Sequence, residues 1–173
     1  MVVTLITPDT KYHCSWLESA LEFEGAHRDG GGGEDWSLDE LQEPATFHRF
    51  VDELIAAALP ESPRKPGYVT CTYLWIVDGE AVLGSLAVRH QLNDFGLNKG
   101  GHIGYSVRPS VRRRGHASQA LNDALTVAHE LQISRVLVTC DEDNAGSRAI
   151  IEKNRGIYED SRNGKRRYWI NTH

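Results

Sequence analysis

The stretch from Val107 to Leu121 combines positive charge with a sharp bend. It holds four arginines within seven positions and, directly after them, a glycine with a small residue two places on: Arg108, Arg112, Arg113, Arg114, Gly115 and Ala117. A glycine at a bend lets the backbone approach an anion closely, and guanidinium groups supply matching charge. These residue types at this spacing are suited to binding a phosphate or diphosphate group.

The flanking sequence predicts the elements that would position this turn. Residues 101–107 are rich in β-strand formers, and apolar residues from Ala117 to Leu131 recur at the i, i+3, i+4 and i+7 spacing of an amphipathic helix. A helix that begins directly after the turn offers free backbone N–H groups and the positive end of its dipole to an anion. On spacing alone, a basic strand-to-helix turn without a ligand fits equally well.

The turn resembles a family motif. Arg112-x-x-Gly115-x-Ala117 is similar to the [Gln/Arg]-x-x-Gly-x-[Gly/Ala] turn with which GNAT (Gcn5-related) acetyltransferases grip the pyrophosphate of coenzyme A. Downstream, the segment VTCDEDNAGSRAIIEKN resembles the next strand and helix of that family. The resemblance extends over residues 68–169 through these motifs, and over residues 1–66 only through the order of elements. It is closest to a subgroup of predicted acetyltransferases whose acceptor is unknown.

The resemblance implies an acyltransferase that moves the acetyl group of acetyl-CoA to a primary amine by direct attack in a ternary complex. Acetyl-CoA would be the co-substrate, and no metal is implied. A main-chain N–H near Val107 would polarise the thioester carbonyl. The alternative is a non-catalytic acyl-CoA-binding sensor or regulatory module that has kept the turn. The residues expected to contact the cofactor are Tyr105, Ser106, Val107, Arg112, Arg113, Arg114, Gly115, His116, Ala117, Ser118, Asn144 and Ser147.

Catalytic residues are less well defined. Many family members carry a tyrosine seven positions after the asparagine, which protonates the departing thiolate, but this chain has Ile151 there. Tyr158 is the candidate replacement, although a packed tyrosine fits as well. His102 is the candidate general base, because imidazole can remove a proton near neutral pH; a purely structural histidine fits equally well.

The acceptor side is predicted from fewer signals. His90 and Asn93 follow a predicted strand and are the candidates for binding the acceptor, with an ordinary surface turn as the alternative. The acceptor itself, a small-molecule or peptide amine, stays open. A homodimer is common in the family and compatible with the sequence.

The whole sequence predicts an α/β fold with the order β-αα-βββ-α-β-α-ββ. It would form a single GNAT-type domain over residues 1–173, with a mixed, mostly antiparallel sheet of about seven strands and helices on both faces. Residues 1–66 would supply the first strand and the acceptor-side helices, and residues 67–173 the acetyl-CoA-binding core. Asp78-Gly79 and Asn163-Gly164 predict hairpins. The run from Gly30 to Gly33 predicts a flexible loop, since it lacks the lysine of a phosphate-binding loop.

Composition narrows the class of protein. A net charge of −5 argues against nucleic acid as a partner. The sequence has neither an apolar run long enough to span a membrane nor a basic-then-apolar signal peptide, so a cytoplasmic location without membrane contact is expected. The three cysteines lack the spacing of a zinc site and are expected to be buried thiols in a reducing compartment: Cys14, Cys71 and Cys140.

Overall fold

Two adjacent strands, Cys71–Asp78 and Ala81–Arg89, carry apolar side chains on both faces. The computed structural model describes residues 2–173. Leu74 and Ile76 face one core, and Trp75 and Val77 face the other, because successive side chains of a strand point to opposite sides. A central strand that is apolar on both faces needs a helical layer on each side. The chain supplies those layers before and after its three central strands.

The strands and α-helices follow the predicted order, with one additional short α-helix. They are β1 (Thr4–Ile6), α1 (His13–Leu21), α2 (Leu38–Leu41), α3 (Pro44–Ala56), β2 (Cys71–Asp78), β3 (Ala81–Arg89), β4 (Ile103–Val107), α4 (His116–Glu130), β5 (Arg135–Asp141), α5 (Ala145–Lys153), β6 (Ile157–Arg162) and β7 (Lys165–Asn171).

The seven strands form one sheet in the order β1-β2-β3-β4-β5-β7-β6. All neighbours are antiparallel except β4 and β5, which are parallel. Helices α1 to α3 pack on one face and α4 and α5 on the other. The prediction of a mixed, mostly antiparallel sheet with helices on both faces is confirmed, as are the two predicted hairpins.

β4 and β5 diverge, and this opening positions the site. Along the described chain the two strands share one residue pair, Ile103 with Val138. β4 stays paired with β3 over its whole length, and β5 stays paired with β7 from Arg135 to Asp141. The sheet therefore opens as a V between β4 and β5 beyond the Ile103–Val138 pair.

The register of β4 decides which peptide groups face this opening. On the β3 side, the His102 carbonyl accepts the Arg89 N–H and the Arg108 N–H donates to the Leu83 carbonyl, while the His102 N–H donates to Leu137 of β5. Because bonding directions alternate along a strand, the even-numbered positions of β4 pair with β3. The peptide groups of Tyr105 and Val107 then point into the V. No register shift interrupts the β3–β4 pairing, and the bulge in this part of the sheet lies between β2 and β3.

The glycine run lies packed against the sheet, in contrast to the flexible loop that was predicted. Gly30 sits so close to β4 that an added Cβ would lie 2.3 Å from the Gly104 carbonyl oxygen. Gly32 and Gly33 lie similarly close to side chains of the α3 face, and all three adopt positive φ. Close approach of backbone to backbone, rather than mobility, is what requires glycine here.

Three further expectations from the sequence can be compared with the structure. Cys71 and Cys140 are buried as predicted, whereas Cys14 is exposed on α1. Among residues 2–173, no helix combines the length and apolar character needed to cross a membrane. The same residues contain no cluster of three potential metal-ligating His, Cys, Asp or Glu side chains.

Candidate functional site

A groove of about 670 Å³ runs from the V between β4 and β5 to the start of α4. Eleven of the twelve residues predicted to contact the cofactor line it, and they come from β4, the following turn, α4 and α5. Arg114 is the exception. The lining contributed by the predicted set is Tyr105, Ser106, Val107, Arg112, Arg113, Gly115, His116, Ala117, Ser118, Asn144 and Ser147. We call this cavity the first groove.

The start of α4 offers unsatisfied polar groups to this groove. Gly115 caps the helix with φ 84°, and no side chain accepts a hydrogen bond from the first-turn N–H groups. Two buried polar atoms in the lining, Ser106 Oγ and His116 Nε2, have no hydrogen-bond partner. Buried polar groups normally find partners, so these orphans indicate a place where a polar ligand binds. The groove therefore fits a phosphate-bearing cofactor.

The three arginines of the turn differ in what their side chains contact. Arg112 Nε donates to the Val107 carbonyl oxygen at 2.9 Å, and its guanidinium lies over the Phe23 ring. Arg113 has φ 63°, a left-handed conformation that fits the sharp turn, and it lines the groove. Arg114 is exposed and lies outside the lining, so the sequence prediction for this residue is not supported by its position. Positive charge at the groove thus comes mainly from Arg112 and Arg113.

Arg108 points away from the groove and anchors the turn. Its guanidinium donates twice to Glu22 at the end of α1, at 2.6 and 2.9 Å. The other Glu22 oxygen accepts the Ser110 backbone N–H at 3.0 Å. The Arg108 hydrogen bonds, followed by the Ser110 N–H, lower the pKa of Glu22 to about 2. Glu22 therefore stays ionised and links α1 to the start of the turn that precedes α4.

A second groove of about 300 Å³ adjoins the first. Its walls come from the glycine run, β3, the loop before β4 and the end of β5. It carries charges of both signs, among them Glu34, Arg89 and the ion pair of Lys165 with Asp141. The two grooves meet at five residues that line both: His27, Asp29, Tyr105, Asn144 and Ser147.

A hydroxyl pair lies at this junction. The Tyr105 hydroxyl lies 2.9 Å from Ser147 Oγ on the first turn of α5. Asn144 accepts the Ser147 backbone N–H at 3.0 Å and so caps α5, which fixes the serine in place. Burial raises the pKa of Tyr105 to about 12, so this phenol stays protonated at any ordinary pH.

His102 lies outside both grooves. Its ring is buried near Trp169, and its Nδ1 accepts the Leu137 backbone N–H at 2.8 Å. Burial, with a smaller contribution from Arg89, lowers the pKa of His102 to about 4. A side chain whose Nδ1 is engaged in this way, and which lines neither groove, does not fit the predicted role of general base. Its geometry instead stabilises the pairing of β4 with β5.

The other sequence candidates also lie away from the grooves. Tyr158 is on the edge strand β6, where its hydroxyl contacts Ser161 and Arg166 covers its ring. His90 bonds to Thr72, while Asn93 donates to the Gly67 carbonyl and accepts the Gly96 N–H. None of the three lines either groove. His90 and Asn93 thus organise the loop that follows β3, as the surface-turn alternative proposed.

Sequence reasoning missed the residues that the N-terminal part brings to the site. These are His27 and Asp29, which stand just before the glycine run. The available signal was the glycine run itself, because consecutive glycines also mark a close approach of two backbones. No periodicity indicates which strand such a loop approaches.

Comparison with known proteins identifies the family. Residues 34–156 match the family model described as an acetyltransferase (GNAT) domain. This match covers more than half of the chain, which therefore belongs to the GNAT acetyltransferases. No curated protein matches the sequence.

Solved structures share the fold at low sequence identity. RimJ of Mycobacterium smegmatis in complex with CoA-disulfide is 17% identical with a TM-score of 0.71, over 98% of this chain and 82% of that one. The microcin C7 self-immunity acetyltransferase MccE, in complex with acetyl-CoA and AMP, is 16% identical with a TM-score of 0.65, over 98% and 92%. A Salmonella typhimurium acetyltransferase that modifies the N-terminal serine of ribosomal protein L7/L12 is 18% identical with a TM-score of 0.63, over 99% and 95%.

Proposed function

We propose that this protein is an N-acetyltransferase that transfers the acetyl group of acetyl-CoA to a primary amine by direct attack within a ternary complex. The observation that supports this most is the first groove, where unsatisfied groups of α4 and β4 lie along one continuous cavity. Family membership supports the reaction class. Coenzyme A complexes among the structural relatives support the co-substrate.

The chain's own residues would hold the co-substrate at two places. The first-turn N–H groups of α4, with Arg112 and Arg113, would bind the diphosphate. The peptide groups of Tyr105 and the N–H of Val107 face the V and would pair with the amides of the pantetheine arm. A backbone N–H of β4 at that point would also polarise the thioester carbonyl, an effect of about 3–4 kcal/mol for one such donor.

The proton donor to the departing thiolate would be the Tyr105 hydroxyl. Ile151 occupies the usual tyrosine position and is fully buried. Tyr105 reaches the first turn of α5 from β4, and its hydroxyl lies 2.9 Å from Ser147 Oγ, one helical turn before position 151. Because its pKa is raised to about 12, Tyr105 is protonated before each turnover and can be protonated again by water afterwards. This assignment replaces Tyr158.

The second groove would bind the acceptor amine. Gly30 and Gly32 of the glycine run line it, and it meets the first groove at the Tyr105–Ser147 pair. Peptide α-amino groups are a suitable first class to test, since one structural relative modifies an N-terminal serine. The same cavity argues against the sensor alternative, because a binding module needs no second groove beside the thioester.

Calorimetric titration with acetyl-CoA, with ADP and ATP as controls, tests the co-substrate. We expect acetyl-CoA to bind more tightly than either nucleotide, because only the full cofactor fills both the α4 end and the V. Thiol release on adding short peptides with a free N-terminal serine then tests transfer. Acetyl-CoA binding without transfer to any peptide or small amine would favour the sensor module. Absence of acetyl-CoA binding would overturn the proposal.

A further inference from the structure

The junction of the two grooves carries a histidine–carboxylate pair. His27 Nε2 lies 3.1 Å from Asp29 Oδ1, and both side chains are 68% exposed. Both residues line the first groove and the second. Taken alone, an exposed pair of this kind would be an ordinary surface interaction worth little. Its position at the junction of two grooves distinguishes it from such a pair.

A second pair on the same molecule provides the comparison. His48 Nε2 lies 3.4 Å from Asp52 Oδ2 on α3, with the side chains 64% and 66% exposed. The two pairs therefore match in chemistry, distance and exposure. His48 and Asp52 line none of the described cavities, whereas His27 and Asp29 line both grooves of the site.

The glycine run fixes the His27–Asp29 pair against the reacting strand. Gly30 follows Asp29 directly and packs against Gly104 of β4 so closely that no Cβ fits. Burial is the main cause of the raised pKa of the Tyr105 hydroxyl, and the charge of Asp29 makes the smallest contribution, after that of Cys140. The loop thus holds the pair at the junction of the grooves, which the proposed proton donor Tyr105 also lines.

We propose that His27, oriented by Asp29, is the general base that removes the proton from the acceptor amine. This inference rests on the proposed acetyl transfer. With its Nε2–H donated to Asp29 Oδ1, neutral His27 has a free lone pair on Nδ1 for the incoming proton. Asp29 then stabilises the imidazolium, as a carboxylate does in other histidine-based sites.

The proton and bond changes balance without any further reagent. His27 Nδ1 takes a proton from the substrate ammonium and releases it to water, which its exposure permits. The neutral amine forms the C–N bond to the acetyl carbon while the C–S bond breaks, and the electron pair leaves with sulfur. The sulfur takes a proton from Tyr105, and the nitrogen loses its second proton to His27. That second proton passes through water to the Tyr105 phenolate, which restores both side chains. The products are the acetamide, coenzyme A thiol and one proton in solution.

Other ionisable groups also face the junction and contribute to its pH dependence. From the first groove these are Arg112, Arg113 and His116. From the second groove they are Glu34, Tyr73, Arg89, Lys99, Cys140, Asp141 and Lys165. Arg89 is engaged with the Gly100 and Gly101 carbonyls, and Lys165 with Asp141. Because these groups stay the same in each variant, comparing variant with wild type isolates the contribution of His27.

The test compares His27→Gln with His48→Gln in the full chain. With acetyl-CoA and a serine-initiated peptide, kcat of His27→Gln should fall about 100-fold at pH 7 and approach wild type above about pH 9, where an α-amino group is already neutral. KM for acetyl-CoA should not change. At pH 7 the kcat of Asp29→Asn should fall about 10-fold, and the kcat of His48→Gln should equal that of the wild type. Wild-type rates for His27→Gln, or an equal loss at every pH, would overturn the assignment.

A second measurement does not depend on knowing the acceptor. Diethyl pyrocarbonate modifies neutral imidazoles, and peptide mass mapping reports each of the eight histidines separately. Acetyl-CoA should slow modification of His27 several-fold and leave His48 unaffected. Unprotected His27 in a protein that binds acetyl-CoA would refute the His27 assignment alone. A wild-type protein that does not bind acetyl-CoA in calorimetry would instead refute the proposed function.

Discussion

The two grooves differ in how the chain builds them. The first groove is made largely of one segment, in which β4, a turn and the start of α4 follow each other within residues 103–118. The second groove takes its walls from the glycine run, β3, the loop before β4 and the end of β5. Local geometry determines the first, and packing between distant segments determines the second. Substitutions in the two should therefore separate cofactor binding from acceptor chemistry.

The largest expected effect is on the first groove. Gly115→Trp should lower affinity for acetyl-CoA by more than about 1,000-fold, because an indole would fill the volume that the diphosphate needs. The matched control is Gly67→Trp, since Gly67 has φ 86° and Gly115 φ 84°, and an added Cβ meets nothing at either position. Calorimetric titration of both folded variants with acetyl-CoA measures the two affinities. Equal affinities would mean that the turn does not bind the diphosphate.

A smaller effect is expected at the junction. Tyr105→Phe should reduce kcat about 100-fold while leaving acetyl-CoA affinity unchanged, because only proton donation is lost. Since burial raises the pKa of Tyr105 to about 12, the loss should be equal between about pH 6 and pH 9. Stopped assays of thiol release across this range check both points. Tyr158→Phe is the control, and a larger loss there than in Tyr105→Phe would reverse the assignment.

The third prediction concerns the second groove. Gly30→Ala should lift the loop from β4, since the new Cβ would lie 2.3 Å from the Gly104 oxygen. We expect kcat/KM for the amine to fall about 10-fold with acetyl-CoA affinity preserved, because His27 and Asp29 are displaced. Gly25→Ala is the control, with φ 83° and nothing near its Cβ. If Gly30→Ala weakened acetyl-CoA binding instead, the two grooves would not be separable.

The smallest effect should appear in stability. Glu22→Gln should cost about 1–2 kcal/mol of unfolding free energy at pH 7, because the ionised carboxylate holds Arg108 and the Ser110 N–H. The folded pKa of Glu22, about 2, lies below its ordinary 4.5, so this stabilisation is present above about pH 4.5 and disappears as the pH falls towards 2. Thermal unfolding of both proteins should therefore differ at pH 7 and converge in acid. If the two proteins differed in stability by the same amount at every pH, the charge of Glu22 would not be the cause of the difference.

Features that depend on neighbouring residues could be predicted from the sequence. Site residues that distant segments bring together could not. The strand order, both hairpins and the Arg112–Ala117 turn depend on neighbours in sequence, and the structure has all of them. His102 misled because strand position does not tell whether a side chain faces a cavity or a buried backbone N–H. Tyr158 misled because β6 is placed at the sheet edge, away from the grooves. Only the folded contact of Gly30 with β4 brings His27 and Asp29 to the site.

The parting of β4 from β5 also has a mechanical consequence. It divides the sheet into two leaves, β1 to β4 and β5 to β7, that meet at the Ile103–Val138 pair. A molecule that binds between the leaves contacts both of them. Its binding therefore stabilises the folded sheet against local opening between β4 and β5. At a ligand concentration of 100 times Kd, this stabilisation is about 2.7 kcal/mol. Amide exchange at Tyr105 and Val107 should then slow when acetyl-CoA is added, while exchange at the outer β6–β7 hairpin stays the same.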